Sequence, residues 1–165
     1  MWLICLAVIF CALIIIDTLR LGISPMPTTK KVRRSLLSMM PDEIEGTIYE
    51  LGSGFGVLAL RLALKYPKAN IVAFEKAIIP FTSSWIVSLF VQNLTVHYKD
   101  FFQVDLSKAD YLISYLFPGA MKRLAQIKIK GHLYSHTFRL PGHTPLTITN
   151  THDLYKTNIY YYRFD

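Results

Sequence analysis

The sequence is short of the residues that usually announce a metal or redox site. It has two cysteines, Cys5 and Cys11, both inside one apolar stretch, where burial as small hydrophobes is their expected role. No Cys pair or Cys/His cluster has zinc spacing, and the five histidines are scattered, so no metal site is expected. Charged residues make up only 18% of the 165, and aromatic residues 13%, a balance that argues against disorder. There is no internal repeat and no low-complexity segment. No basic stripe with interleaved aromatics runs through the body of the chain, so a nucleic-acid partner is not expected.

What is present is apolar and unevenly charged. The mean hydropathy is +0.32. Much of the excess lies in Trp2–Ile16, fifteen consecutive apolar residues, with Asp17 and Arg20 beyond it. A membrane span needs about 20 apolar residues, and counting through Ile23 reaches that length. The expectation is an anchor over residues 1–23, contacting the membrane through residues 2–23. A helix packed on the domain and a targeting segment are the alternatives. Lys30, Lys31, Arg33 and Arg34 follow, and the positive-inside rule then predicts a single-pass protein with its catalytic domain, residues 24–165, in the cytoplasm. The same basic run fits attraction to anionic lipid heads or a solvated helix face.

The central motif is Tyr49-Glu-Leu-Gly-Ser-Gly-Phe-Gly56. A short apolar run ends at Leu51, and strong helix formers begin at Val57. Glycines between strand and helix let the backbone approach a ligand, and the helix N-terminus favours a negative ligand group. A dinucleotide fingerprint wants glycine three residues after its second, but position 57 is Val. An acid, Glu50, stands at the strand end instead. A second strand, Asn70–Glu75, places another acid at its carboxyl end, where it can accept from ribose hydroxyls.

The remaining pattern alternates. Helix is expected over Lys30–Met40, Phe55–Tyr66, Ile78–Val91 and Ala120–Ile129. Strands are expected over Thr47–Leu51, Leu94–Tyr98, Ala109–Phe117 and Gly131–Leu140, with Leu146–Thr151 and Asn158–Phe164 as a closing antiparallel pair. This predicts an α/β fold, a mostly parallel seven-stranded Rossmann-like sheet with helices on both faces. Ligands bind outside the carboxyl ends of such strands, which gathers Glu50–Gly56, Glu75, Asp100-Phe101 and Tyr115–Pro118 around one cleft.

An acid followed by alternating glycines resembles motif I of class I S-adenosylmethionine (SAM)-dependent methyltransferases. Pro25-x-Pro27-Thr28, Glu50-Leu-Gly-Ser-Gly54, Lys99-Asp-Phe-Phe-Gln-Val-Asp-Leu-Ser107 and Tyr115-Leu-Phe-Pro-Gly119-x-Met121 follow in order. Together they resemble the small lysine methyltransferase family that includes the adenine nucleotide translocase and ATP synthase c-subunit enzymes. The resemblance covers about residues 24–165. It implies SAM as cofactor, with Glu50, Gly52, Ser53, Gly54 and Gly56 holding its methionine part, Glu75 its ribose, and Asp100 and Phe101 flanking adenine. Tyr115, Phe117 and Pro118 occupy the catalytic loop, where many relatives carry an Asn/Asp-Pro-Pro-Tyr sequence and this chain has no Asn or Asp. A protein lysine is the implied acceptor. A lipid-soluble small molecule, or a non-catalytic SAM-binding membrane scaffold, are the rival readings. Read as plain structure, Asp100 is a turn cap, Phe101 a core residue, and Tyr115 and Phe117 buried strand residues.

Overall fold

The computed structural model describes residues 28–165 except 152 and 154, together with residues 1, 2, 4, 5 and 8. The first helix, α1, spans Lys30–Met39; Thr29 caps it, its hydroxyl accepting from the Val32 N–H. Then follow β1 (Gly46–Leu51), α2 (Val57–Lys65), β2 (Ala69–Glu75), α3 (Ile78–Ser88) and β3 (Leu94–Tyr98). Two short 3₁₀ turns, Phe101–Gln103 and Leu106–Lys108, lead to β4 (Tyr111–Ser114), α4 (Pro118–Leu124), β5 (Gly131–His136), β6 (Thr147–Asn150) and β7 (Asn158–Phe164).

The seven strands form one sheet in the order β3-β2-β1-β4-β5-β7-β6. β7 runs antiparallel to both its neighbours, β5 and β6, and the remaining pairs are parallel. The strand order reverses between β1 and β4, so their carboxyl ends flank a switch-point crevice. The closing antiparallel pair thus takes the expected form, with β7 inserted between β5 and β6.

Central strands alternate their side chains between two apolar faces. One face carries Ile48, Ile71, Ala73, Ile113 and Tyr134 under Val32 and Leu36 of α1 and Leu58 and Leu62 of α2. The other carries Leu51, Phe74, Leu112 and Leu133 under the 3₁₀ turns and α4, through Phe101, Leu106, Met121 and Leu124. Each fully buried side chain of this size contributes roughly 1.5–3 kcal/mol.

α3 is the most apolar helix, exposing Trp85 and Ile86, with Leu89 and Phe90 exposed just beyond its end. Three of its four hydroxyls turn back onto the helix's own main chain. Thr82, Ser84 and Ser88 donate to the carbonyls of Ile78, Phe81 and Trp85, so a helix rich in small hydroxyls satisfies them itself.

The anchor expected over residues 1–23 falls almost wholly outside the described residues. Among the described residues no helix is long and apolar enough to cross a membrane. The single-pass localisation with a cytoplasmic domain is therefore corrected. The physical reason lies in the composition: the uninterrupted apolar run has fifteen residues, and extending it to the roughly 20 a span needs takes in Asp17 and Arg20.

Asn93 holds the loop after α3 to the amino edge of the sheet. Its amide nitrogen lies 3.2, 3.0 and 3.0 Å from the carbonyls of Ala63, Tyr66 and Ala69. These are the end of α2, its cap and the start of β2. Asn93→Ala leaves these carbonyls short of a donor and is expected to cost about 2 kcal/mol, read from the urea midpoint. A loss within a few tenths of a kcal/mol would show that solvent replaces the amide.

Candidate functional site

The loop after β1 is built by hydrogen bonds to β2. The N–H groups of Gly52 and Ser53 both donate to the Phe74 carbonyl, at 3.0 and 2.9 Å, and Gly56 N–H returns to Ser53 O at 3.0 Å. Two glycines do distinct work. Gly56 caps α2 at φ 73°, and a Cβ there would lie 2.6 Å from Ser84 Cβ and 3.0 Å from Ser84 Cα, so it lets α2 and α3 pack closely. Gly54 has φ 54°, and a Cβ there would meet nothing within 4 Å. Its Cβ direction is open space at the carboxyl ends of the strands.

Glu75 fastens this loop. One carboxylate oxygen accepts from Gly54 N–H at 2.7 Å, and the other from Lys76 and Ala77 N–H at 2.8 Å each. Glu50 is different. It is buried on β1, and its Oε2 has no hydrogen-bond partner; the buried Ser53 Oγ, three residues on, also has none. Burial, with the nearby Glu75 charge adding, pushes the Glu50 carboxyl up to about 8, while the Ala59 main-chain N–H works the other way.

The catalytic-loop candidates lie alongside. Ser114 pairs with Leu51 on one side and Ser135 on the other, so Tyr115 leaves the sheet between the glycine loop and the end of β5. A Cβ on Gly52 would stand 3.5 Å from Leu116, so the two loops touch. Phe117 caps α4 with 39% of its surface exposed, and Pro118 opens that helix. The Phe117 carbonyl already accepts α4's first N–H, from Met121 at 3.0 Å.

Asp100 and Phe101 sit at the far side of the crevice. Asp100 caps the first 3₁₀ turn through Phe102 N–H at 3.0 Å, and its other oxygen meets Lys76 Nζ at 3.1 Å. The Phe101 ring packs in the core, 4.3 Å from the Phe102 ring. Both plain-structure readings therefore describe these side chains here. The structure brings Glu50, Gly52, Ser53, Gly54, Glu75 and Tyr115 together, with Asp100 joined through Lys76, and turns the Phe101 ring away.

His136 is the residue that sequence reasoning passed over. It ends β5 and is buried, with its ring stacked 4.0 Å from Tyr115. Nε2 lies 3.2 Å from the Thr28 hydroxyl and Nδ1 3.3 Å from that of Thr137. It thus ties the chain entering α1 to the end of the sheet. Its signal was position at a strand end, hidden because the predicted strand ran on to Leu140. Among the described residues no group of three or more His, Cys, Asp or Glu is placed to hold a metal.

No family model matches the chain, and no curated protein matches it. Solved structures do. An RNA methyltransferase from Salinibacter ruber, in complex with S-adenosylhomocysteine, superposes with a TM-score of 0.72 at 23% identity, covering 83% of this chain and 92% of that one. A precorrin-6y C5,15-methyltransferase from Geobacter metallireducens gives 0.63 at 14%, covering 84% and 90%. Phosphoethanolamine N-methyltransferase 1 from Haemonchus contortus, also with S-adenosylhomocysteine, gives 0.53 at 14%, covering 74% of this chain and 30% of that one. The fold is that of class I SAM-dependent methyltransferases.

Burial holds His136 down, from its usual 6.5 to about 3. The unfolded chain takes up its proton near 6.5 while the folded one does not. This contribution to stability is therefore intact above 6.5 and erodes as pH falls towards 3. His136→Phe keeps a ring against Tyr115 and removes the titration. Between pH 6.5 and 5 its unfolding free energy is expected to fall less steeply than that of the unaltered protein. Parallel slopes in urea titrations across that range would show that His136 does not titrate as described.

Proposed function

We propose that the protein is a SAM-dependent N-methyltransferase whose acceptor is the side-chain amine of a protein lysine, with residues 24–165 as the catalytic domain. One observation carries the cofactor assignment. A buried carboxyl oxygen without a partner, Glu50 Oε2, stands near the end of β1, and the loop that follows has open space over Gly54. A ligand bearing a positive group beside a polar sugar fits that arrangement, and SAM has both. Support for the lysine comes from the succession of motifs around Asp105-Leu-Ser107 and Leu116-Phe-Pro-Gly119. The neutral aromatic rim of Tyr115 and Phe117 also suits an uncharged amine.

In this reading Glu50 and the main chain of Gly52, Ser53, Gly54 and Gly56 hold the methionine part. Glu75 offers its remaining lone pairs to the ribose while fixing Gly54. Asp100 and the main chain at Phe101 border the adenine. The cofactor supplies an already activated methyl group, so the protein's work is alignment. The apolar rim of Tyr115 and Phe117 disfavours the ammonium form of an entering lysine and so favours loss of its proton before transfer. The Phe117 carbonyl has one lone pair left to orient the amine, Pro118 fixes the turn that aims it, and His136 stays neutral and holds the Tyr115 ring.

Incubation with methyl-labelled SAM and fractionated cell extract is the direct test. Label on a protein that survives as methyl-lysine after hydrolysis supports the reading. Label confined to a lipid extract, or none at all, overturns the lysine assignment.

Two binding predictions accompany it. Gly54→Val is expected to abolish calorimetric binding of S-adenosylhomocysteine while the fold persists, and Glu75→Ala to weaken it by about 1–3 kcal/mol. The free protein keeps a proton on Glu50 up to about 8, whereas a bound cation favours the carboxylate. SAM affinity should therefore rise as pH approaches 8, level off above it, and lose that rise in Glu50→Gln. A flat profile in the unaltered protein would separate Glu50 from the cofactor.

A further inference from the structure

The excess positive charge of this protein lies in one place. The chain has 18 Lys and Arg against 11 Asp and Glu. Six of the cations stand on α1 and α2: Lys30, Lys31, Arg33, Arg34, Arg61 and Lys65. Neither helix contains an acid. The rest of the chain holds 12 cations and 11 acids and is nearly balanced.

The two helices lie side by side with these residues in register. Lys65 Nζ donates to the Leu37 carbonyl at 2.6 Å, and one turn earlier Arg33 and Arg61 are close enough to repel. That repulsion, after burial, holds the Arg33 guanidinium below its ordinary value. Among the described residues none of the six forms an ion pair; the pairs there are Lys68–Glu45 and Lys76–Asp100. The acids that follow α1, at Asp42, Glu43 and Glu45, lie past its carboxyl end.

This is a poor arrangement for the fold alone. Four cations crowd the first five residues of α1, where the helix dipole favours anions. Lys30 and Arg34 are like charges four residues apart. Both helices start at the carboxyl edge of the sheet, α1 just after Thr28 on His136 and α2 at the glycine loop. The basic strip therefore runs outward from the candidate acceptor side of the cleft.

We propose that the outer faces of α1 and α2 dock an acidic polypeptide segment, which presents its lysine to the cleft. The identity of the occupant rests on charge complementarity and on what the strip lacks. Its exposed apolar residues are Val57 and Leu64, with no exposed aromatic ring on which bases would stack. The proposal deepens the lysine reading above and depends on it for the delivery step. The docking itself is measurable without methyl transfer.

The test uses fluorescent peptides with a central lysine flanked either by Glu and Asp or by Gln and Asn, titrated in the presence of S-adenosylhomocysteine. The acidic peptide is expected to bind about tenfold tighter at low salt, and the advantage to shrink at high salt. The combined variant Lys30→Gln, Lys31→Gln, Arg34→Gln, Arg61→Gln should lose the preference while binding S-adenosylhomocysteine unchanged, which reports an intact fold. Equal affinity for both peptides would overturn the proposal, as would a preference that persists in the variant. So would a single-stranded RNA oligomer or an anionic phospholipid vesicle that displaces the acidic peptide at lower charge-matched concentration. Replacing the central lysine by arginine should leave binding intact. Charge-selective binding without methyl label on the lysine peptide keeps the docking strip and removes the lysine reading. Equal labelling irrespective of flanking charge does the reverse.

Discussion

Two carboxyl groups at the ends of neighbouring strands set the terms for the whole cleft. Both cannot be ionised and poorly solvated without cost. Glu75 resolves its share by accepting three main-chain N–H groups, which fixes the glycine loop and the start of α3. Glu50 has only the Ala59 N–H, its Oε2 has no partner, and the carboxyl is pushed up to about 8. The asymmetry assigns different work to the two acids. One is spent on geometry, and the other keeps a buried oxygen, Oε2, without a partner at the carboxyl end of β1. Replacing Glu50 by an apolar residue of similar size would suit stability, since an orphaned buried polar group is a liability. Its presence makes sense where a cation completes the site.

Much of this was legible in the sequence because the sheet is built from strong local signals. The β1 glycine turn, the acid at Glu75 and the runs from Leu94 and Asn158 are marked by composition and by their bounding residues. The strand ends near the acceptor side were not. Tyr115, Leu116 and Phe117 are as apolar as the strand they leave, so periodicity carried β4 on to Phe117. The strand ends at Ser114, and three residues then lead to Pro118, which opens α4. β5 likewise ends at His136, where Thr137 takes φ 75°, a conformation that a β-branched residue does not advertise. The same two errors hid the Tyr115–His136 stack, which depends on both residues lying just at the ends of adjacent strands. Phe101 shows the opposite limit: an aromatic beside a predicted cleft reads equally well as core, and packing alone decides.

The cations of α1 and α2 and the buried acid of β1 do not meet, and burial explains how they coexist. The cations of α1 and α2 stand close to the cleft, yet Glu50 remains raised. Its environment is set by burial and Glu75, with no lysine or arginine among the groups acting on it. Solvated charges on the outer helix faces are screened within about 8–10 Å at physiological salt, whereas the interior pair is not. The surface field and the buried acid therefore address different parts of an approaching partner. The outer strip attracts negative charge over distance and sets orientation. The inner acid acts only on a group that has already entered. In the proposed reading the strip acts on the flanks of a polypeptide and the buried acid on the cofactor, so the two charges do not compete for one group.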